Sequence, residues 1–191
     1  VPGIRCRRGR SLLEERVADD EKCRRFERLI VPHLDAAYDL ARWLTRDSTA
    51  AEEVVQEAYL RAYRFFDSFR GDEGRVWILA IVRNTCFSML DREPPAGRFE
   101  TFDELVHSGA FEAMPSAEDA ALARQSAAQV RDAVAALPIE FRETVVLREL
   151  HGLSYKEIAA VTDAPMGSVM SRLARGRLLL ARALVGRPEK E

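Results

Sequence analysis

"SYKEIAAVTDAPMGSVMSRLARGR", residues 154–177, decides how this chain is read. Ser154 followed by Glu157 has the spacing of a capping box, in which a hydroxyl and a carboxylate each satisfy an open backbone N–H at a helix start. The helix it opens is expected to run to about Val161, with a short turn at Thr162, Asp163 and Ala164. Pro165 suits the first turn of the next helix, because its fixed φ and missing N–H carry no penalty there. Short helix, tight turn and longer second helix make a helix-turn-helix unit.

In such a unit the second helix enters the major groove, so one side must pack on the domain while the other presents short polar groups and arginines. Met166, Val169, Leu173, Leu180 and Leu184 are spaced for the inner side. Ser168, Ser171, Arg172 and Arg175 fall on the other, where arginine can make a bidentate contact to guanine or clamp a phosphate. Between Lys156 and Arg187 the charge balance is +4. Arginines on a helix alone would read as a solvated face. Joined to the capping box, the turn and Pro165, they favour DNA binding.

The rest of the composition narrows the setting. With 191 residues, 47% hydrophobic and 31% charged, the chain suits a soluble globular protein of one domain or two small ones. A net charge of −2 gives no global basic character, so any nucleic-acid contact must be local. Cys6, Cys23 and Cys86 are far apart and read as reduced thiols. His33, His107 and His151 are equally scattered, so no metal site and no cofactor is expected. The longest apolar runs are too short to cross a bilayer, and "VPGIRCRRGR" lacks a signal-peptide core, so no membrane insertion and a cytoplasmic location are expected.

The periodicity is helical throughout, and the expected fold is all-α. Leu34, Ala37, Tyr38, Ala41 and Leu44 share one helix face, after Pro32 interrupts or begins a helix. Thr49 and Glu52 are read as a first capping box, opening a long helix with Val54, Val55, Ala58, Ala62, Phe65, Phe66 and Phe69 on its apolar side. "VWILAIVRNTCFSMLDR" is apolar around much of its circumference and should be the buried centre of the bundle. Between the last two, "RGDEG" is a turn or short loop. After Arg92, Glu93, Glu100, Asp103, Glu104, Glu112, Glu118 and Asp119 are set against Arg98 alone among prolines and glycines, which reads as an acidic linker with a short helical turn near Phe102 to Val106. Helices resume with Val130, Val134 and Leu137, then with Phe141, Val145, Val146 and Leu150 up to Gly152.

Taken together, "TAAEEVVQEAYLRAY", "FRGDEGRVWILAIVRNTC", "LPIEFRETVVLRELHGLSYKEIA" and "GSVMSRLARGR" resemble, in order and spacing, bacterial sigma factors of the extracytoplasmic-function (ECF) class. The resemblance covers about Cys23 to Leu184. It implies two small helical domains, a sigma-2-like bundle and a sigma-4-like helix-turn-helix domain, joined by a flexible acidic linker. The corresponding boundaries are a disordered arm over 1–22, the first domain over 23–93, the linker over 94–119 and the second domain over 120–187. It also implies RNA polymerase core as partner, through the β′ coiled coil and the β flap, together with promoter DNA and an anti-sigma factor that holds the protein inactive.

The residue roles follow the same resemblance. Glu52, Glu53, Gln56 and Glu57 match the surface that meets the β′ coiled coil. Arg70, Gly71, Asp72, Glu73 and Trp77 match the loop that captures a flipped base of the −10 element, and Asn84 matches a further contact to that element. The loop is shorter by one residue than the family's commonest form, with Gly74 in place of a bulkier residue. Ser168, Met170, Ser171, Arg172 and Arg175 match the −35 reading helix, with Met170 where relatives often carry Lys or Arg. A stand-alone helix-turn-helix regulator is the alternative, and it would bind a palindromic operator without polymerase. An enzyme is disfavoured, since no paired carboxylates, activated nucleophile or phosphate-cradling glycine loop is legible.

Overall fold

A computed structural model describes residues 12–92 and 117–185, with side chains from 19 and from 126 in the two segments. Every regular element among them is helical. The first segment holds α1 (Leu12–Leu29), α2 (Leu34–Thr45), α3 (Ser48–Phe65) and α4 (Gly74–Arg92); the second holds α5 (Ala117–Ala135), α6 (Ile139–Val145), α7 (Tyr155–Thr162) and α8 (Met166–Val185). Pro32 sits in a 3₁₀ turn, Val31–His33, between α1 and α2, as a residue without an N–H requires.

Local chemistry sets the ends. α2 stops at Arg46, which adopts the left-handed conformation at φ 60°. The expected cap of the following helix is displaced: Asp47, not Thr49, is the N-cap, its carboxylate accepting from the Ala50 amide at 2.7 Å. Asp47 is one of the short acceptors that reach the second or third amide, and it also favours the positive end of the helix dipole. Ser154 and Glu157 form the capping box as expected, with both reciprocal bonds present.

α4 is the spine. Ile78, Leu79, Val82, Thr85 and Cys86 are buried between α2 and α3 on one side and α7 on the other. Gly74 opens α4 where a Cβ would lie 2.0 Å from the Leu29 carbonyl oxygen, so the position has no room for a side chain. In the second segment Leu147, Leu153, Ile158, Val169 and Leu173 are buried, and they join the first segment's Leu40, Leu44, Ile78 and Leu79 in one contiguous core. The two halves therefore pack on each other directly.

Several expectations are corrected. The arm expected as disordered over 1–22 is helical from Leu12, and Lys22 ties that helix to Asp67 at 2.8 Å; residues 1–11 lie outside the described residues. Most of the acidic linker and its helical turn near Phe102 also lie outside them, while α5 already begins at Ala117 and takes in Glu118 and Asp119, which were expected in the linker. Met166 and Leu184, assigned to the inner side of the last helix, are 51% and 41% exposed. The inner stripe is Val169, Leu173 and Gly176, because α8 overhangs α6 at both ends. Leu34, Phe65, Val130 and Leu150 are likewise exposed.

Candidate nucleic-acid interface

The loop after Phe69 opens on a cavity of about 620 Å³ lined by Phe69, Arg70, Gly71, Asp72, Glu73, Val76, Trp77, Ala80 and, from α7, Ala160. Arg70, Asp72 and Glu73 are exposed there, free to offer donors and acceptors to a ligand. The aromatic wall is built in layers. Trp77 lies 4.8 Å from Phe69, centroid to centroid, and Phe69 stacks at 5.8 Å on Phe66. Arg25 supports this wall from α1: its guanidinium lies 5.0 Å from the Phe66 ring and donates to the Phe69 carbonyl at 3.2 Å. Trp77 is half-buried, so it is both packed and available at its rim. A pocket with an apolar wall and polar groups on one lip is what a base removed from its stack needs.

Asn84 is exposed two helical turns further along α4. Its side-chain oxygen accepts from Arg83 Nη1 at 3.2 Å, which leaves its amide donors to solvent. On α3, Glu52, Glu53, Gln56 and Glu57 are all exposed on the side opposite Ala51, Val54, Val55 and Ala58. Leu60, 52% exposed, continues that acidic face with an apolar residue.

On α8 the expected reading residues separate into two kinds. Ser168 is half-buried; Met170, Ser171 and Arg175 are exposed, and the Ser171 hydroxyl donates to the Ser168 carbonyl at 3.0 Å. Arg172 instead folds back, its Nη1 3.4 Å from Oε1 of Glu143, a carboxylate only 1% exposed. Arg83 of α4 meets the same carboxylate at 3.0 Å. Arg177 pairs with Glu149 at 2.6 Å, and Arg175 is the outward arginine of the helix's first half.

Sequence reasoning missed Arg83 and Glu143. One signal was there: Glu143 lies four residues after Ile139 and four before Leu147, so an acid occupies an otherwise apolar helical stripe. A carboxylate so placed is buried only with cationic partners. Burial raises its pKa, and Arg83 and Arg172 oppose that rise.

His151 lies at the same seam between the halves. It is 8% exposed, its Nε2 has no hydrogen-bond partner among the described residues, and Arg75 of α4 donates to its carbonyl at 2.7 Å. Burial first, and the Arg75 charge second, pull its pKa down to about 4. A histidine whose folded pKa lies below its unfolded value keeps its full contribution above pH 6.5 and loses it as pH falls, because the unfolded chain takes the proton first. Stability from denaturant unfolding, followed from pH 7 to pH 4, should therefore fall by up to roughly 3 kcal/mol from this group. His151→Gln should flatten that slope, and an unchanged slope would remove His151 as its source. Glu143 titrates in the opposite sense, so the variant, not the parent curve alone, isolates the histidine.

Among the described residues no group of His, Cys, Asp and Glu is arranged to hold a metal, and no helix is long and apolar enough to cross a membrane. Residues 29–93 match region 2 of the sigma-70 family, and residues 127–180 match its region 4. The ECF RNA polymerase sigma-E factor of Escherichia coli strain K12 is 38% identical over 131 residues, 65% of this chain and 69% of that protein. The RNA polymerase sigma-H factor of Pseudomonas aeruginosa is 34% identical over 178 residues, 90% of this chain and 92% of that one. In fold, the chain is similar to the sigma factor RpoE of Bartonella quintana, solved with the anti-sigma factor NepR, at a TM-score of 0.67, 22% identity, 85% of this chain and 98% of the other.

Proposed function

This chain belongs to the ECF RNA polymerase sigma factors, and from that membership we propose that it binds core polymerase and directs initiation at promoters through a −10 and a −35 element. The observation that carries the reading is the pairing of an open aromatic-walled pocket at Phe69 and Trp77 with a capped helix-turn-helix on one chain. Region 2, taken as residues 23–93, supplies the pocket, Asn84 and the acidic α3 face; region 4, taken as 120–187, supplies Ser168, Met170, Ser171, Arg172 and Arg175. The protein is no enzyme. It works in the cytoplasm, where its partners are: polymerase through the β′ coiled coil and the β flap, promoter DNA, and an anti-sigma factor of the kind this class employs. The test is run-off transcription with purified core polymerase and a promoter library. A regulator acting alone would shift a palindromic duplex without polymerase and give no new transcript with it.

The acidic face of α3 makes a separate prediction. Among the described residues Glu57 pairs with Arg61, at 3.2 Å and in solvent, an interaction of little weight for folding. Glu53→Lys combined with Glu57→Lys should therefore melt as the parent does. In a titration against core polymerase, the double variant should bind about tenfold or more weaker, since like charge replaces attraction at two points. Unchanged affinity would remove this face from the polymerase contact.

A further inference from the structure

The two expected reading heads are joined by an unbroken polar path. Asn84 on α4 accepts from Arg83 at 3.2 Å, Arg83 reaches Glu143 on α6 at 3.0 Å, and Glu143 reaches Arg172 on α8 at 3.4 Å. Arg83 belongs to region 2, whereas Glu143 and Arg172 belong to region 4. The Arg83 guanidinium also lies 4.3 Å from the Phe87 ring, which fixes it toward the seam. The same seam is closed by Arg75 donating to the His151 carbonyl at 2.7 Å and by Ala160 of α7 forming part of the base pocket's wall.

We propose that Glu143 is a latch residue: in the free chain it binds Arg83 and Arg172 together, holding regions 2 and 4 closed and withholding Arg172 from DNA. The proposal rests on reading α4 and α8 as promoter-reading helices. Its consequence is that the two heads are freed together. Arg172 is 32% exposed in its side chain, and it can exchange the carboxylate for a DNA phosphate without crossing a packed core. Once Arg83 withdraws, Glu143 meets water and stays paired with Arg172 only as an ordinary, weak surface ion pair. A buried pair is easily balanced against its separated, hydrated form, since the desolvation it suffers offsets much of its attraction. That balance suits a two-state element whose partners can tip it.

The test uses the full chain with Cys6→Ser and Cys23→Ser, carrying dyes at Arg64→Cys on α3 and Arg182→Cys on α8, both exposed positions. Cys86 is buried and stays unlabelled in the folded protein. Energy transfer should report one dominant closed state in this labelled parent. Arg83→Gln breaks only the arm between the regions and leaves Glu143 with Arg172; it should raise the open population roughly tenfold, and Arg83→Lys should restore part of the closed state. Glu143→Gln should open the chain as well and, having released Arg172, bind a random-sequence duplex more tightly than the labelled parent at low salt. Equal transfer in the labelled parent, Arg83→Gln and Glu143→Gln would overturn the latch. Opening without any gain in duplex binding for Glu143→Gln would overturn the withholding of Arg172. Should Glu143→Gln not fold, Arg83→Gln decides the latch by itself. Transfer is measured without polymerase, so its failure is distinct from failure of run-off transcription.

Discussion

Leu173→Ala is expected to lower the stability of region 4 by about 2–5 kcal/mol, the range for deleting a large buried aliphatic group and leaving its cavity. Leu173 is 2% exposed and lies one turn from Val169, which is fully buried. The helices around it have little room to close in. At Gly176, the next inward position, a Cβ would lie 2.8 Å from Val145 Cγ2, so α8 already touches α6 at backbone distance. The cavity therefore persists, and denaturant unfolding should show an early transition in the C-terminal half. Leu173→Met, which keeps most of the volume, should lose less than about 1.5 kcal/mol. Arg175→Ala is the matched control on the outward side: it should melt as the parent does and weaken promoter binding, reducing the salt slope by about one if Arg175 holds a phosphate. A Leu173→Ala protein that melts with the parent would show that the inner face of α8 is not the core stripe.

The same helix shows what was legible in sequence and what was not. Ser154, Glu157 and Pro165 act on their immediate neighbours, and such local rules can be read from spacing alone; the capping box follows the expected pattern atom for atom. Val169 and Leu173 are legible for the same reason, since helical periodicity gives a face. Met166 is not, because which end of that face overhangs depends on where α6 stops, and α6 lies more than 20 residues upstream. The Asp47 cap was missed because Thr49 and Glu52 offer a competing local solution, and only the actual start of α3 decides between them. Arg172 was assigned to DNA from its position on the outward face. Its partner Glu143 is 29 residues away in sequence, and the second partner of that carboxylate, Arg83, is 60 away. No periodicity records a charge balance assembled from three helices. The acidic face of α3 needed no such long-range information, since its exposure follows from the burial of Ala51, Val54, Val55 and Ala58 opposite it.

Replacing Arg70, Asp72 and Glu73 together by alanine is expected to cut promoter opening by about 100-fold while leaving core-polymerase binding within about twofold of the parent. Extruding a base costs a few kcal/mol, and the pocket must return that energy through stacking and edge contacts made only in the open complex. Stacking is retained in the triple variant, because Phe69 and Trp77 keep their 4.8 Å contact and Phe69 its support from Phe66 and Arg25. What disappears is the polar lip, and each good hydrogen-bonded pairing with a base edge is worth about 1–3 kcal/mol. The three side chains are exposed and none is in the contiguous core, so the variant should fold with the parent's melting behaviour. Permanganate footprinting of unpaired thymines, run beside a filter assay for polymerase binding, separates the two steps. A companion Trp77→Ala variant should lose opening as well, but with a stability defect from the tilted cluster it leaves behind, which is why the lip and not the wall is the cleaner probe. Should the triple variant open the full promoter panel with the parent's preferences among −10 sequences, the cavity beside Trp77 takes no base, and α4 reads the element through Asn84 and its neighbours instead.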